Sequence, residues 1–139
     1  IHTTIHRVLS FEEPIIECAF NELQGFLWVL CRMTLFCYSV NGVLLAGLDL
    51  NSPATVLYVA DVGTTDPMRP VFIGLENGFV RTCHYNGEWN EIESLGTLDC
   101  HLNTIKSIRM APNKMTVDVQ DIDGNSCMIY SNPQMIGTL

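Results

Sequence analysis

The chain has 139 residues, of which 47% are hydrophobic and 16% charged, and its formal net charge is −8. That length supports one domain with a real core, and the composition excludes a disordered chain. The negative balance speaks against nucleic acid or an anionic membrane surface as a direct partner.

Taken in order, the chain reads as short β-strands separated by turn residues. Residues 1–9 alternate weakly and are rich in β-branched side chains, which predicts the outer strand of a preceding repeat. Because the first residue is Ile1 rather than Met, a processed chain or a fragment is expected. After a loop at Ser10 to Pro14, strands are predicted over 15–20, 26–30, 34–40 and 43–48. Asn41-Gly42 between the last two is a tight hairpin turn, since Asn and Gly tolerate positive φ. A second series follows: a strand at 55–59, an insertion loop at 61–70 punctuated by Gly63, Pro67 and Pro70, then strands at 71–75, 79–85 and 89–98. Glu76-Asn77-Gly78 and Asn86-Gly87 supply its turns. A third series has strands at 104–110, 115–119 and 126–130, with 135–139 starting an outer strand.

Three such meanders make three propeller blades, placed at 15–48, 55–98 and 104–139. The repeat is countable: the turn between second and third strands steps 45 residues from Arg32 to Asn77 and 46 from Asn77 to Asp123. Dense Val, Ile, Thr, Tyr and Phe, and no helical periodicity, exclude a helical repeat of similar length. The fold class is therefore all-β, a partial, open β-propeller of about three four-stranded antiparallel blades. A ring needs ~4–8 blades, so exposed blade faces, further blades of a larger chain and association of the isolated segment are expected.

The six cysteines are even in number, which raises a disulfide framework, but nearly all sit in apolar strand runs where a thiol acts as a small hydrophobe. Free thiols in a cytoplasmic protein are the reading. The most apolar run, 25–40, carries Arg32 near its middle and is shorter than the ~20 residues of a membrane span, so no direct membrane insertion is expected.

These repeats resemble WD repeats. The family pattern places a histidine before the first strand, an aspartate in the turn after the second and a tryptophan in the third. His101 and Asp123 fit the first two, and Asn77 stands for the aspartate in the middle repeat. The resemblance implies structural hydrogen-bonding roles for them. Tyr38, Cys83 and Ile129 stand where tryptophan belongs, so the full family network is not expected in any blade. Three stretches are more specifically similar to the C-terminal propeller of BEACH-domain proteins, the beige and neurobeachin class. They are Phe36-Cys37-Tyr38-Ser39-Val40-Asn41-Gly42-Val43-Leu44-Leu45-Ala46, Gly74-Leu75-Glu76-Asn77-Gly78-Phe79-Val80-Arg81, and the closing repeat from Ile105 to Tyr130. This resemblance implies a cytoplasmic scaffold, peripheral to endomembranes through the rest of the protein, in vesicle traffic, lysosome-related organelles or autophagy.

Site chemistry is sparse. Asp121-Ile122-Asp123-Gly124 lacks the EF-hand ligands, with Val119 and Tyr130 where acidic residues belong, and reads as a turn. Cys83-His84 and Cys100-His101 do not suit zinc: Cys83 and His84, as adjacent strand residues, point to opposite faces, and the chain has no Cys-x-x-Cys. His2, His6, Ser10, Glu12 and Glu13 form a polar group with no nucleophile signature. Trp28 and Trp89 read as packing residues, Trp89 partly exposed beside Gly87-Glu88. No catalytic residue, metal or cofactor is expected. The acidic loop residues Glu12, Glu13, Glu76, Asp99 and Asp121 are the candidates for binding another protein. A WD-repeat adaptor of a coat or ciliary complex is the alternative. A propeller enzyme is the remote one, since the innermost strands offer only Glu17, Lys106 and Arg109 as ionisable groups.

Overall fold

The computed structural model describes residues 9–22, 24–60 and 70–131. Within them the chain forms eleven strands and no helix. They are β1 (Ile15–Asn21), β2 (Phe26–Cys31), β3 (Thr34–Ser39), β4 (Leu44–Asp49), β5 (Ala54–Val59), β6 (Val71–Leu75), β7 (Phe79–Asn86), β8 (Glu91–Asp99), β9 (Ile105–Met110), β10 (Thr116–Asp121) and β11 (Ser126–Tyr130). Every sheet is an antiparallel meander: β1-β2-β3-β4, β5-β6-β7-β8 and β9-β10-β11. The expected segments at 1–8, 61–69 and 132–139 lie outside the described residues.

The first strands of the sheets, β1, β5 and β9, lie side by side. The carboxylate of Glu17 on β1 accepts the Leu57 N–H of β5 at 3.3 Å, and the Thr55 hydroxyl of β5 donates to the Ile105 carbonyl of β9 at 2.6 Å. The three sheets are thus blades set around a common inner edge, and the ring they begin is open.

Strand alternation explains why the core forms between blades. Trp28 and Leu30 of β2, with Leu35 and Cys37 of β3, turn toward the second blade, where Leu57, Val71, Ile73, Cys83 and Ile92 meet them. The alternate residues of the second blade, Phe72 and Val80, turn the other way and pack with Ile105, Ile108, Val117, Val119 and Ile129. Strand β6, which is buried throughout, serves both layers. Each fully buried Leu or Ile contributes ~1.5–3 kcal/mol. Gly74 sits at the tightest point. A Cβ there would lie 2.5 Å from Ile105 Cγ2 and 2.6 Å from Val56 Cγ1, so β6 approaches its neighbours only without a side chain.

One predicted strand begins late. Trp89 belongs to the β7–β8 turn rather than to β8, which starts at Glu91. Asn90 adopts φ 49°, and the Asn86 side chain accepts the Glu88 N–H at 3.0 Å, which together widen the turn. Trp28 is a core residue, whereas Trp89 is not.

A candidate protein-docking rim

Alternating strand direction puts three kinds of segment at one end of the blades: the loop entering the first strand, the turn between second and third and, in the two four-stranded blades, the loop leaving the fourth. These segments join into a continuous rim. Glu13 Oε2 accepts the Met33 N–H at 3.1 Å, tying the entry loop of the first blade to its β2–β3 turn. That turn in turn accepts from the next loop, Leu50 N–H to the Met33 carbonyl at 2.9 Å and Ala54 N–H to the Arg32 carbonyl at 2.7 Å. The same loop takes the Glu76 N–H on the Pro53 carbonyl at 2.8 Å, and the Glu76 carbonyl accepts the Thr104 hydroxyl at 2.8 Å. Gly78 is held there by φ +87° and by proximity, since a Cβ would fall on the Leu102 carbonyl.

The rim ends in the β10–β11 turn, which is closed around a buried carboxylate. Asp121, at the end of β10, is 1% exposed. Its Oδ2 accepts the Asn103 N–H at 2.9 Å, and its Oδ1 accepts the N–H groups of Asp123 at 3.0 Å and Asn125 at 2.9 Å. Burial pushes this carboxyl up, but the hydrogen bonds from Asn103, Asn125 and Asp123 outweigh it and hold it below its ordinary value. Asn103 also donates its side-chain amide to Asp123, and the Ile122 N–H reaches the Thr104 carbonyl at 3.0 Å.

Several sequence expectations are corrected by this arrangement. Asp121 is an internal structural group rather than an exposed docking residue. His101 does not join the turn: its imidazole is 88% exposed, its backbone stands at φ 56°, and its N–H caps on Asp99 Oδ1 at 2.9 Å. Asn103, two residues after His101 in the same loop, is the residue that reaches the Asp121–Asn125 turn. A linked loop and turn therefore exists in the third blade, built from other residues. Asp123 is exposed and takes part through the Asn103 amide, while Asn77 accepts the Phe79 N–H at 3.1 Å inside its own turn. Asn103 and Thr104 were missed in the sequence, where the only signal was an Asn-Thr pair ahead of a strand.

Of the acidic candidates, Glu12, Glu76 and Asp99 are exposed on the rim and Glu13 is half-buried in its bond to Met33. Asp49 and Asp123 are exposed at the same end, with Arg32 as an exposed cation among them. The rim is thus a hydrogen-bonded, mostly acidic band.

The remaining chemistry is structural. All six cysteines are free, and burial pushes the Cys37, Cys83 and Cys100 thiols up to about 12. Among the described residues no group of His, Cys, Asp or Glu is arranged to hold a metal ion, and no helix is long and apolar enough to cross a membrane. His2 and His6 lie outside the described residues.

No protein-family model matches the chain, and no curated protein matches it in sequence. Among solved structures, a chain of the mitotic checkpoint complex superposes with a TM-score of 0.70 at 10% identity, covering 85% of this chain and 36% of its own length. The periplasmic gluconolactonase of Pseudomonas aeruginosa superposes with a TM-score of 0.69 at 12% identity, covering 89% of this chain and 37% of its own. Both are β-propellers, and the likeness establishes that fold for this chain. The chain spans little more than a third of either.

Proposed function

We propose that this chain is a non-enzymatic scaffold segment whose acidic rim docks other proteins, and that it belongs to the C-terminal propeller of a BEACH-family protein acting in vesicle traffic, lysosome-related organelles or autophagy. The observation that carries the docking reading is the rim itself. Its loops are fixed to one another by hydrogen bonds from Glu13 to Asp123, so little ordering entropy remains to be lost on binding. Its exposed charge is mostly carboxylate, which selects a partner with a basic patch and fixes register more than raw affinity. The BEACH assignment rests on the Asn41-Gly42 and Glu76-Asn77-Gly78 hairpins and the closing repeat.

Two experiments test it. Reversing Glu12 and Glu76 together to Lys in the full-length protein is expected to remove most co-purifying proteins, by about tenfold in abundance, without shifting the melting temperature. An unchanged partner set sinks the docking reading. Sequencing the transcript on both sides of Ile1 and Leu139 tests the family: further repeats of similar length behind a large helical domain are expected. A start codon directly before Ile1 and a stop directly after Leu139 would exclude it.

A second reading, a propeller enzyme, is favoured by one observation, the lactonase among the structural neighbours. Against it, Glu17 on the inner strands is engaged with the Leu57 N–H, Lys106 is exposed, and the cleft that Arg109 lines with Asp118, Ser107 and Ser126 opens on the far face of the third blade and holds no histidine or second carboxylate.

A further inference from the structure

The β7–β8 hairpin lies at the end of the blades opposite the rim. Val71 at the start of β6 pairs with Cys83, and past that point the register of β7 continues with β8 alone among the described residues, through His84↔Glu93, Tyr85↔Ile92 and Asn86↔Glu91. The hairpin therefore projects as a two-stranded ribbon, a form only marginally stable unless braced.

This one is braced. The Tyr85 ring stands edge-on to Phe26 of the first blade, centroids 4.9 Å apart, and its hydroxyl donates to Asn90 Oδ1 at 2.7 Å. The Asn86 amide donates to Glu93 Oε2 at 3.0 Å, and Ile92 is buried beneath. Trp89 takes no part in these contacts and is 72% exposed. A stiff turn thus holds a large aromatic face in water.

Among the described residues, the charge carried by the hairpin beside that face is negative: Glu88, Glu91 and Glu93 are all exposed. The hydrogen bond from Asn86, with His84 beside it, holds the Glu93 carboxyl below its ordinary value, so it stays ionised. Val40, Val43 and Leu44 are exposed at the β3–β4 turn, at the same end of the adjoining blade. We propose that the Trp89 tip is a docking point for a basic peptide segment of another protein, taken up with a Lys or Arg over the indole, its charge paired by the flanking carboxylates.

The chemistry follows from the parts. A cation is drawn to an indole face, Arg and Lys stems pack on apolar surface, and Trp is a low-entropy anchor of interfaces. Anionic lipid and nucleic acid are repelled by the same carboxylates. The proposal uses no rim residue and stands apart from the rim reading.

The test uses fluorescein-labelled hexa-arginine as probe, followed by fluorescence anisotropy on the intact chain at low ionic strength, with labelled hexa-glutamate as control. Saturable binding of hexa-arginine is expected. Trp89→Ala should weaken it about tenfold, Trp89→Phe should keep most of it, and Glu88→Gln with Glu91→Gln should weaken it about fivefold. Reversal of Glu12 and Glu76 should weaken binding clearly less than Trp89→Ala does. The proposal is overturned if hexa-arginine does not bind, if Trp89→Ala binds as tightly as the unaltered chain, or if rim reversal weakens binding as much as Trp89→Ala.

Discussion

At the scale of single residues, Asp121 governs the third blade. Three N–H groups on one buried carboxylate mean that its removal strands donors from both the β8–β9 loop and the β10–β11 turn. Because the folded carboxyl sits below its ordinary value, its contribution to stability is complete above the usual aspartate range of ~4 and is lost as pH falls through the lowered folded value. Hydrogen exchange at Asn103, Asp123 and Asn125 is expected to accelerate on acidification in that window, beyond what intrinsic exchange chemistry explains. Asp121→Asn should show that loss of protection already at neutral pH. Protection in Asp121→Asn equal to that of the unaltered chain would contradict this account.

At the scale of elements, the turns are set apart by what surrounds them. Gly78 and Gly124 occupy the same place in successive blades with nearly the same φ, +87° and +86°. Around Gly124 nothing lies within 4 Å of a built Cβ, whereas at Gly78 the Cβ meets the Leu102 backbone. Gly124→Ala should therefore cost only the left-handed penalty of ~1–2 kcal/mol. Gly78→Ala should cost about 2 kcal/mol more, since a backbone carbonyl must move. Urea unfolding of the two variants measures the difference, and equal midpoints would show that the rim is looser than its hydrogen bonds imply. Both glycines were legible as turn residues from the Asn-Gly and Asp-Gly pairs. Their unequal burial was not, because Leu102 reaches Gly78 from the next blade.

At the scale of the molecule, the two outer blade faces differ in kind. The register places Cys18 and Phe20 of β1 beside Val29 and Leu27 of β2, then Phe36 and Tyr38 of β3, all on the face turned away from the second blade. Phe11 covers part of it, with ring centroids 5.6 Å from Phe36 and 5.9 Å from Tyr38, yet Phe20 remains 45% exposed. The far face of the third blade presents Asp118 paired with Arg109 and Gln120 paired with Ser107 and Ser126. Stacking copies head to tail would bury these charged and polar side chains against hydrocarbon, which is costly. Self-association should instead run through the first blade. Phe20→Lys is expected to raise the monomer fraction in sedimentation velocity, and Arg109→Glu to leave it unchanged; the opposite pattern would mean that the polar face is the contact.

What the sequence determined by itself was everything carried by short-range pattern. Alternating apolar residues, Asn-Gly and Asp-Gly turns and a spacing of 45 to 46 residues were enough for blades, strand order and an open ring. The tertiary structure alone decided which polar residues are buried and which large apolar ones are exposed. Asp121 and Trp89 show why. Turn chemistry makes both plausible surface residues, but exposure depends on whether another segment arrives overhead. The Asn103 loop arrives over Asp121, whereas the braced β7–β8 ribbon carries Trp89 beyond the reach of its own blade.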